Sequence, residues 1–330
     1  MAVRHAVDDD HLTAVGGWGL AAAARWWRGV GWGAGVFAVL LVLAQICYPL
    51  ASGEARDRVT VVVVLLSAGT ALAHARMVRG LRYATGFLVI VSGVGLMAEV
   101  VGTATGVPFG CYGYAEGRLG IAVAGVPLVV ALAWTGGLYP VWVVAGMLVR
   151  RTSARIGLTA AGAVGWDLFL DPQMVADGQW TWCADSPGLP GIADIPYTNY
   201  LGWFAVALIM ATLLAIWEHA AHAGPAAAAG TSTDAARRTL FASLRRNLPL
   251  RYELCPARPA HSASANVVPV TIFLWTWLGS ALAHAVFLGL PYSACYGGIG
   301  LGVLGVPLLV RLIRERRGKS GGRTARRVAV

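Results

Sequence analysis

Charge is what this 330-residue sequence has least of: 13% of its residues are Asp, Glu, Lys or Arg, and the acids number 16. Apolar residues make up 57% and the mean hydropathy is +0.63. That leaves too little polar side chain to clothe a water-soluble globule and points to an integral membrane protein. The net charge of +10 does not indicate nucleic acid. The excess sits beside apolar runs, above all at Arg311, Arg314, Arg316, Arg317, Lys319, Arg323, Arg326 and Arg327, where topology and anionic lipid headgroups account for it. Membrane lipid is therefore the expected partner of that charge. No cleavable leader is obvious either. Arg25 and Arg28 precede an apolar run and Ala51-Ser52-Gly53 imitates a cleavage site, but the run reads as a first membrane helix.

Apolar runs of about 20 residues, enough to cross a bilayer at helical rise, fall near 31–50, 59–75, 86–105, 120–149, 155–171, 195–217, 267–290 and 295–313. The chain is thus expected to be an all-α polytopic membrane protein of about eight transmembrane helices. The fourth run is one helix bent at Gly136, Gly137 and Pro140, or two short passes with a tight turn. Counted as one pass, it puts 3, 3, 3, 6 and 8 basic residues on one face, or 23 of 26, and leaves Arg56, Arg58 and Arg118 opposite. Cationic loops resist translocation, so the rich face and both termini are expected to be cytoplasmic, in a multi-pass protein of the cell membrane. The order along the chain is then a cytoplasmic segment 1–30, helices one to six over 31–217, a cytoplasmic linker 218–266 rich in Ala, Pro, Ser and Arg, helices seven and eight over 267–313, and a basic tail 314–330.

Cys111-Tyr112-Gly113 before Gly125-Val126-Pro127-Leu128 is echoed by Cys295-Tyr296-Gly297 before Gly305-Val306-Pro307-Leu308. A parallel four-plus-four repeat would explain the echo, as would chance among Gly- and Val-rich segments. The same topology puts Cys111, Cys183 and Cys295 on the oxidising side and Cys255 inside, which allows one disulfide among the three or three unpaired thiols.

Chemistry in such a chain resides where polarity survives in hydrocarbon, since intramembrane charge is costly. Glu99 lies toward the outer end of the third run. Asp167 and Asp171 are four residues apart and so on one helical face at the outer end of the fifth. His284 falls in the outer part of the seventh, whereas His74 lies at an inner end. The topology thereby gathers Glu99, Asp167, Asp171 and His284 at similar depth. Each also has a structural reading: Asp171-Pro172 ends a helix, Asp167 bonds a neighbouring amide or hydroxyl, His284 satisfies a packed core. Around them the outer loops are aromatic, with Phe109, Tyr112 and Tyr114 in one and Trp166, Trp180, Trp182, Tyr197, Tyr200 and Trp203 about the other. These read as a headgroup belt, or as the lining of a site for a long apolar ligand or a cation.

Two signatures carry a resemblance. One is Pro108-Phe109-Gly110-Cys111-Tyr112-Gly113-Tyr114 followed by Gly125-Val126-Pro127-Leu128 and Leu132-Ala133-Trp134. The other runs from Asp167-Leu168-Phe169-Leu170-Asp171-Pro172-Gln173-Met174-Val175 through Trp180-Thr181-Trp182 to Ile195-Pro196-Tyr197-Thr198-Asn199-Tyr200-Leu201-Gly202-Trp203. In order and spacing, over roughly residues 86–217, the chain resembles the bacterial and archaeal carotenoid-biosynthesis membrane proteins. It departs in a longer stretch from Cys183 to Asp194 and in Ala115-Glu116. That family includes hydratases acting on the terminal double bond of γ-carotene or bisanhydrobacterioruberin, so the resemblance implies a carotenoid substrate and hydration of an acyclic end group.

The residues fit such a reaction, which takes a proton donor, shelter for a tertiary cation and an ordered water, and no cofactor or metal. Asp167 or Asp171 is the expected acid, with Glu99 and Asn199 orienting water. Phe109, Tyr112, Tyr114, Trp134, Trp166, Trp180, Trp182 and Trp203 are the expected substrate lining. Two other classes fit part of the pattern. An intramembrane prenyltransferase would use Asp167-x-x-x-Asp171 through a metal and a diphosphate, and a non-catalytic carotenoid-binding protein would need the rings but not the acids. The topology is open to test: reporters fused after Arg82, Arg151, Ala227 and Arg317 are expected in the cytoplasm and those after Gly117 and Ser186 outside. A cytoplasmic reporter at Ser186 would break the helix count.

Overall fold

A computed structural model of the chain describes residues 32–183, 187–222 and 265–328. In hydrocarbon every backbone N–H and C=O needs an internal partner, so apolar runs of this length become helices. Eight long helices are seen among the described residues: α1 (Trp32–Cys47), α2 (Gly53–Arg79), α3 (Leu81–Thr105), α4 (Leu128–Leu148), α5 (Thr152–Ala176), α6 (Tyr197–His222), α7 (Val267–Phe287) and α8 (Pro291–Val328). All but α5 are long and apolar enough to cross a membrane, and the protein is an all-α polytopic membrane protein. Side chains of α5 are buried along its length, including Arg155, Thr159, Asp167 and Asp171, because α6 and α8 pack along it and α4 joins them. Where α5 crosses α8, a methyl group on Gly165 would come within 2.5 Å of the Gly300 backbone. Only a residue without Cβ permits that approach.

Among the described residues six short strands cluster at one end of the bundle, here termed the hairpin end. β1 (Tyr112–Tyr114) pairs with β4 (Trp180–Trp182), β2 (Ala122–Val123) with β3 (Val126–Pro127), and β5 (Gly188–Leu189) with β6 (Ile192–Pro196), all antiparallel. The 120–149 run is a single helix that starts at Leu128; its first residues turn through Ala124 (φ +51°) and Gly125 (φ +82°) in the β2–β3 hairpin, a tight turn that needs two positive φ values. Pro172 does not end α5, which runs on to Ala176. Proline removes the N–H that would bond the Leu168 carbonyl, and Ser293 of α8 donates its hydroxyl to that carbonyl instead, at 2.7 Å. The internal echo is not a structural repeat: Cys111-Tyr112-Gly113 and Gly125-Val126-Pro127 lie in and beside strands, whereas their counterparts lie inside α8. Among the three cysteines expected on the oxidising side, Cys111 and Cys183 are joined by a disulfide and Cys295 is free.

The opposite end of the bundle is fastened on Glu218. Expected at the start of a linker, it is instead buried in the last turns of α6, which continues to His222. Arg79 of α2 donates to it at 2.6 Å, Tyr83 of α3 at 2.9 Å, Trp142 of α4 at 3.0 Å and Arg155 of α5 at 2.7 Å. Arg155 also lies 3.3 Å over the Trp142 ring. The segment 1–30, most of the linker and Cys255 lie outside the described residues. Side chains of the basic tail are described to Arg317, and its backbone continues α8 to Val328. Glu218→Ala would leave buried guanidinium groups without their carboxylate, at a cost of about 3–5 kcal/mol. Melting of the purified protein followed by helical circular dichroism should show that loss, and an unchanged midpoint would remove Glu218 as the fastening.

Candidate functional site at the hairpin end

α5 presents Asp167 and Asp171 one turn apart toward the first turn of α6. There Asn199 donates its amide N–H to Asp171 Oδ2 and lies 3.5 Å from Asp167 Oδ2. α3 presents Glu99 two turns before it ends at Gly106 in the left-handed conformation. The Tyr112 hydroxyl donates to Glu99 Oε2 at 2.5 Å. All four polar side chains on the helices are buried, none more than 4% exposed. The three carboxylates line one cavity of about 50 Å³, together with Trp134, Trp180, Trp203 and Met174 and the apolar side chains of Val64, Leu119, Val129, Val130, Ala133 and Leu170. Such a volume accepts one or a few water-sized groups.

The aromatic residues form one connected array around that cavity. Trp134 lies against Trp203 with centroids 4.1 Å apart and meets the edge of Trp166 at 5.1 Å and 85°. Trp203 continues to Phe109 at 4.6 Å, and Phe109 to Tyr112 at 6.1 Å. Tyr112 stacks on Trp182 at 5.5 Å, and Tyr114 meets Trp180 at the same separation. The β1–β4 ladder sets the last two contacts by pairing Tyr112 with Trp182 and Tyr114 with Trp180. Tyr112 and Tyr114 are two residues apart and share a strand face. Burial, and after it the adjacent Glu99, pushes both phenols well above the usual range, so both remain neutral donors. Phe109, fully buried, is wedged between Gly102 of α3 and Gly202 of α6, where added methyl groups would come within 2.5 and 2.8 Å of its ring.

Every expected site residue is thus at this end. Glu99, Asp167, Asp171, Trp134, Trp180 and Trp203 face the cavity, while Phe109, Tyr112, Tyr114, Trp166, Trp182 and Asn199 hold those residues from behind. His284 does not join them. It lies on the α8 side of α5, bonded to Ser293 at 2.9 Å and Gln173 at 3.1 Å.

Sequence reasoning did not anticipate that α2 closes the cavity through Thr60 and Val64, or that the few basic residues of this end are structural. Arg118 makes a two-pronged contact with Asp57 at 2.7 and 2.9 Å and donates to the carbonyls of Asp177 and Gly178. Arg56 pairs with Asp177 at 2.5 Å. Cations at a helix C-terminus complement its free carbonyls, and isolated arginines amid acids on the cation-poor face were the available signal. Tyr200, expected among the aromatic residues of this end, lies beside Asn199, and its buried hydroxyl has no hydrogen-bond partner among the described residues.

Residues 59–244 match the model of a family described as carotenoid biosynthesis protein, a span that takes in the whole cavity. No curated protein and no solved structure matches the chain significantly. Gly202→Ala tests the packing of the array: its methyl group would overlap Phe109, at a cost of about 1–3 kcal/mol, with a changed near-ultraviolet tryptophan signal because Phe109 rests on Trp203. Unaltered stability and spectrum would show that the wedge is not required.

Proposed function

The chain belongs to the carotenoid biosynthesis protein family, and we propose that its part in carotenoid biosynthesis is the cofactor-independent addition of water to the terminal double bond of an acyclic carotenoid end group, giving a tertiary alcohol. The observation that carries this reading is the convergence of three buried carboxylates and the rings of Trp134, Trp180 and Trp203 on one cavity. Two carboxyl groups that converge on one amide can hold a single proton between them. In the proposed step, the acid form of the Asp167–Asp171 pair gives that proton to the less substituted alkene carbon. The π electrons become the new C–H bond and leave a tertiary cation.

Tryptophan faces stabilise a cation at a distance of about 6 Å or less, and the pairing of Trp134 with Trp203 supports that role. Glu99, which accepts from Tyr112 and lines the cavity, would orient the attacking water molecule. Attack by that water forms the C–O bond, and the released proton returns to a carboxylate, so the site ends as it began. Asn199 spans the aspartate pair and would keep the acid in register with the alkene. The protein would act in the cell membrane with both termini in the cytoplasm, a placement supported by the 23-to-3 partition of basic residues.

Expression in a host that makes lycopene and γ-carotene should yield pigment heavier by one water molecule. Asp167→Asn and Asp171→Asn should each lower that conversion about 10²–10⁴-fold, the usual worth of general acid–base catalysis, with the protein still present in the membrane. Trp166→Phe should be milder than Trp166→Ala, because a smaller ring still packs on Trp134. Wild-type conversion by both asparagine variants would put the acid elsewhere, and pigment that binds but never gains water would mark a carotenoid-binding protein.

A further inference from the structure

The bond from Tyr112 to Glu99 is fixed from both of its ends. On the Glu99 side, Gly102 lies one turn further along α3, and a methyl group there would sit 2.9 Å from the Tyr112 hydroxyl and 2.5 Å from Phe109. α3 thus leaves a slot for the phenol. On the Tyr112 side, the preceding residue, Cys111, is tied by its disulfide to Cys183. The Cys183 N–H also donates to the Cys111 carbonyl at 2.8 Å, and Trp182 stacks on the Tyr112 ring while its ring N–H donates to the Phe109 carbonyl at 3.0 Å. Both cysteines are exposed although Tyr112 is buried. A covalent tie accessible to solvent therefore adjoins a hydrogen bond inside the candidate site.

We infer that Tyr112 is a positioning residue that holds the Glu99 carboxylate in the cavity, and that the Cys111–Cys183 disulfide is the fastening that keeps it there. The inference rests on the reaction proposed above for its consequence, but the geometry stands without it. Tyr112 on Oε2, with Tyr114 of the same strand beside the carboxylate, holds Glu99 where it lines the cavity. Opening the disulfide would free the ends of β1 and β4, and the phenol would no longer be held on α3. Activity would then depend on the redox state of a bond outside the cavity.

The test uses the full-length protein in lipid nanodiscs, oxidised and after reduction, as wild type, Tyr112→Phe and Cys111→Ser. Phenylalanine keeps the ring against Trp182 and removes only the donor. The infrared band of the Glu99 carboxyl group, identified by its loss in Glu99→Gln, should shift in Tyr112→Phe. Reduction of the wild type and Cys111→Ser should shift it in the same direction, whereas reduction of Tyr112→Phe should add nothing. Turnover should fall about 10–100-fold in kcat, the worth of one hydrogen bond to a charged group, with KM little changed. A Glu99 band that stays in place in Tyr112→Phe overturns the positioning role, and one that stays in place on reducing the wild type overturns the fastening. A band that shifts as described in a protein that hydrates no carotenoid leaves both standing and defeats the proposed reaction instead.

Discussion

A carboxylate cannot be left facing hydrocarbon, and in this protein that constraint organises everything around α5. An ionised or hydrogen-bonding group in the bilayer must be enclosed by protein and given partners. α5 carries Arg155 near one end and Asp167 and Asp171 near the other, and it is walled in by α4, α6 and α8. Its polar residues meet donors or acceptors from those walls: Glu218 for Arg155, and Asn199 for the two aspartates. α3 and α6 also carry a buried acid each, Glu99 and Glu218, and every long helix but α5 is still apolar enough to cross a membrane.

The same requirement explains why the hairpin end has strands at all. Glu99 needs a donor, and Tyr112 reaches it from a two-stranded ladder laid over the helix ends. The ladder also brings Trp180 to the cavity. Arg56 and Arg118 secure the end of α5 to α2 and to the loop after α3 through Asp177 and Asp57. Polar satisfaction and aromatic packing thereby act on the same few residues, which confines the water-sized cavity to the place where the acids converge.

Much of this was legible in the amino-acid order. The apolar runs near 86–105 and 195–217 correspond to α3 (Leu81–Thr105) and α6 (Tyr197–His222), because length in hydrocarbon is dictated by helical rise. Glu99, Asp167 and Asp171 stood out because charge is so rare inside these runs. The β2–β3 hairpin was hidden because its residues are as apolar as the helix that follows. The extension of α5 past Pro172 depends on a hydroxyl at Ser293, 125 positions away in sequence from the carbonyl it satisfies. His284 shares the depth of the acids, but lateral position is set by packing, which periodicity does not reveal. Glu218 read as linker because its partners come from four other helices.

The central claim is that the carboxylate cavity protonates an alkene carbon and delivers water to the cation. Turnover in a mixture of deuterium oxide and heavy-oxygen water tests it most directly, by locating both labels in the product. One carbon-bound deuterium is expected on the carbon next to the new alcohol and one heavy oxygen in its hydroxyl group, both absent with Asp167→Asn and Asp171→Asn. A product whose oxygen is unlabelled, or whose adjacent carbon gains no deuterium, would contradict it.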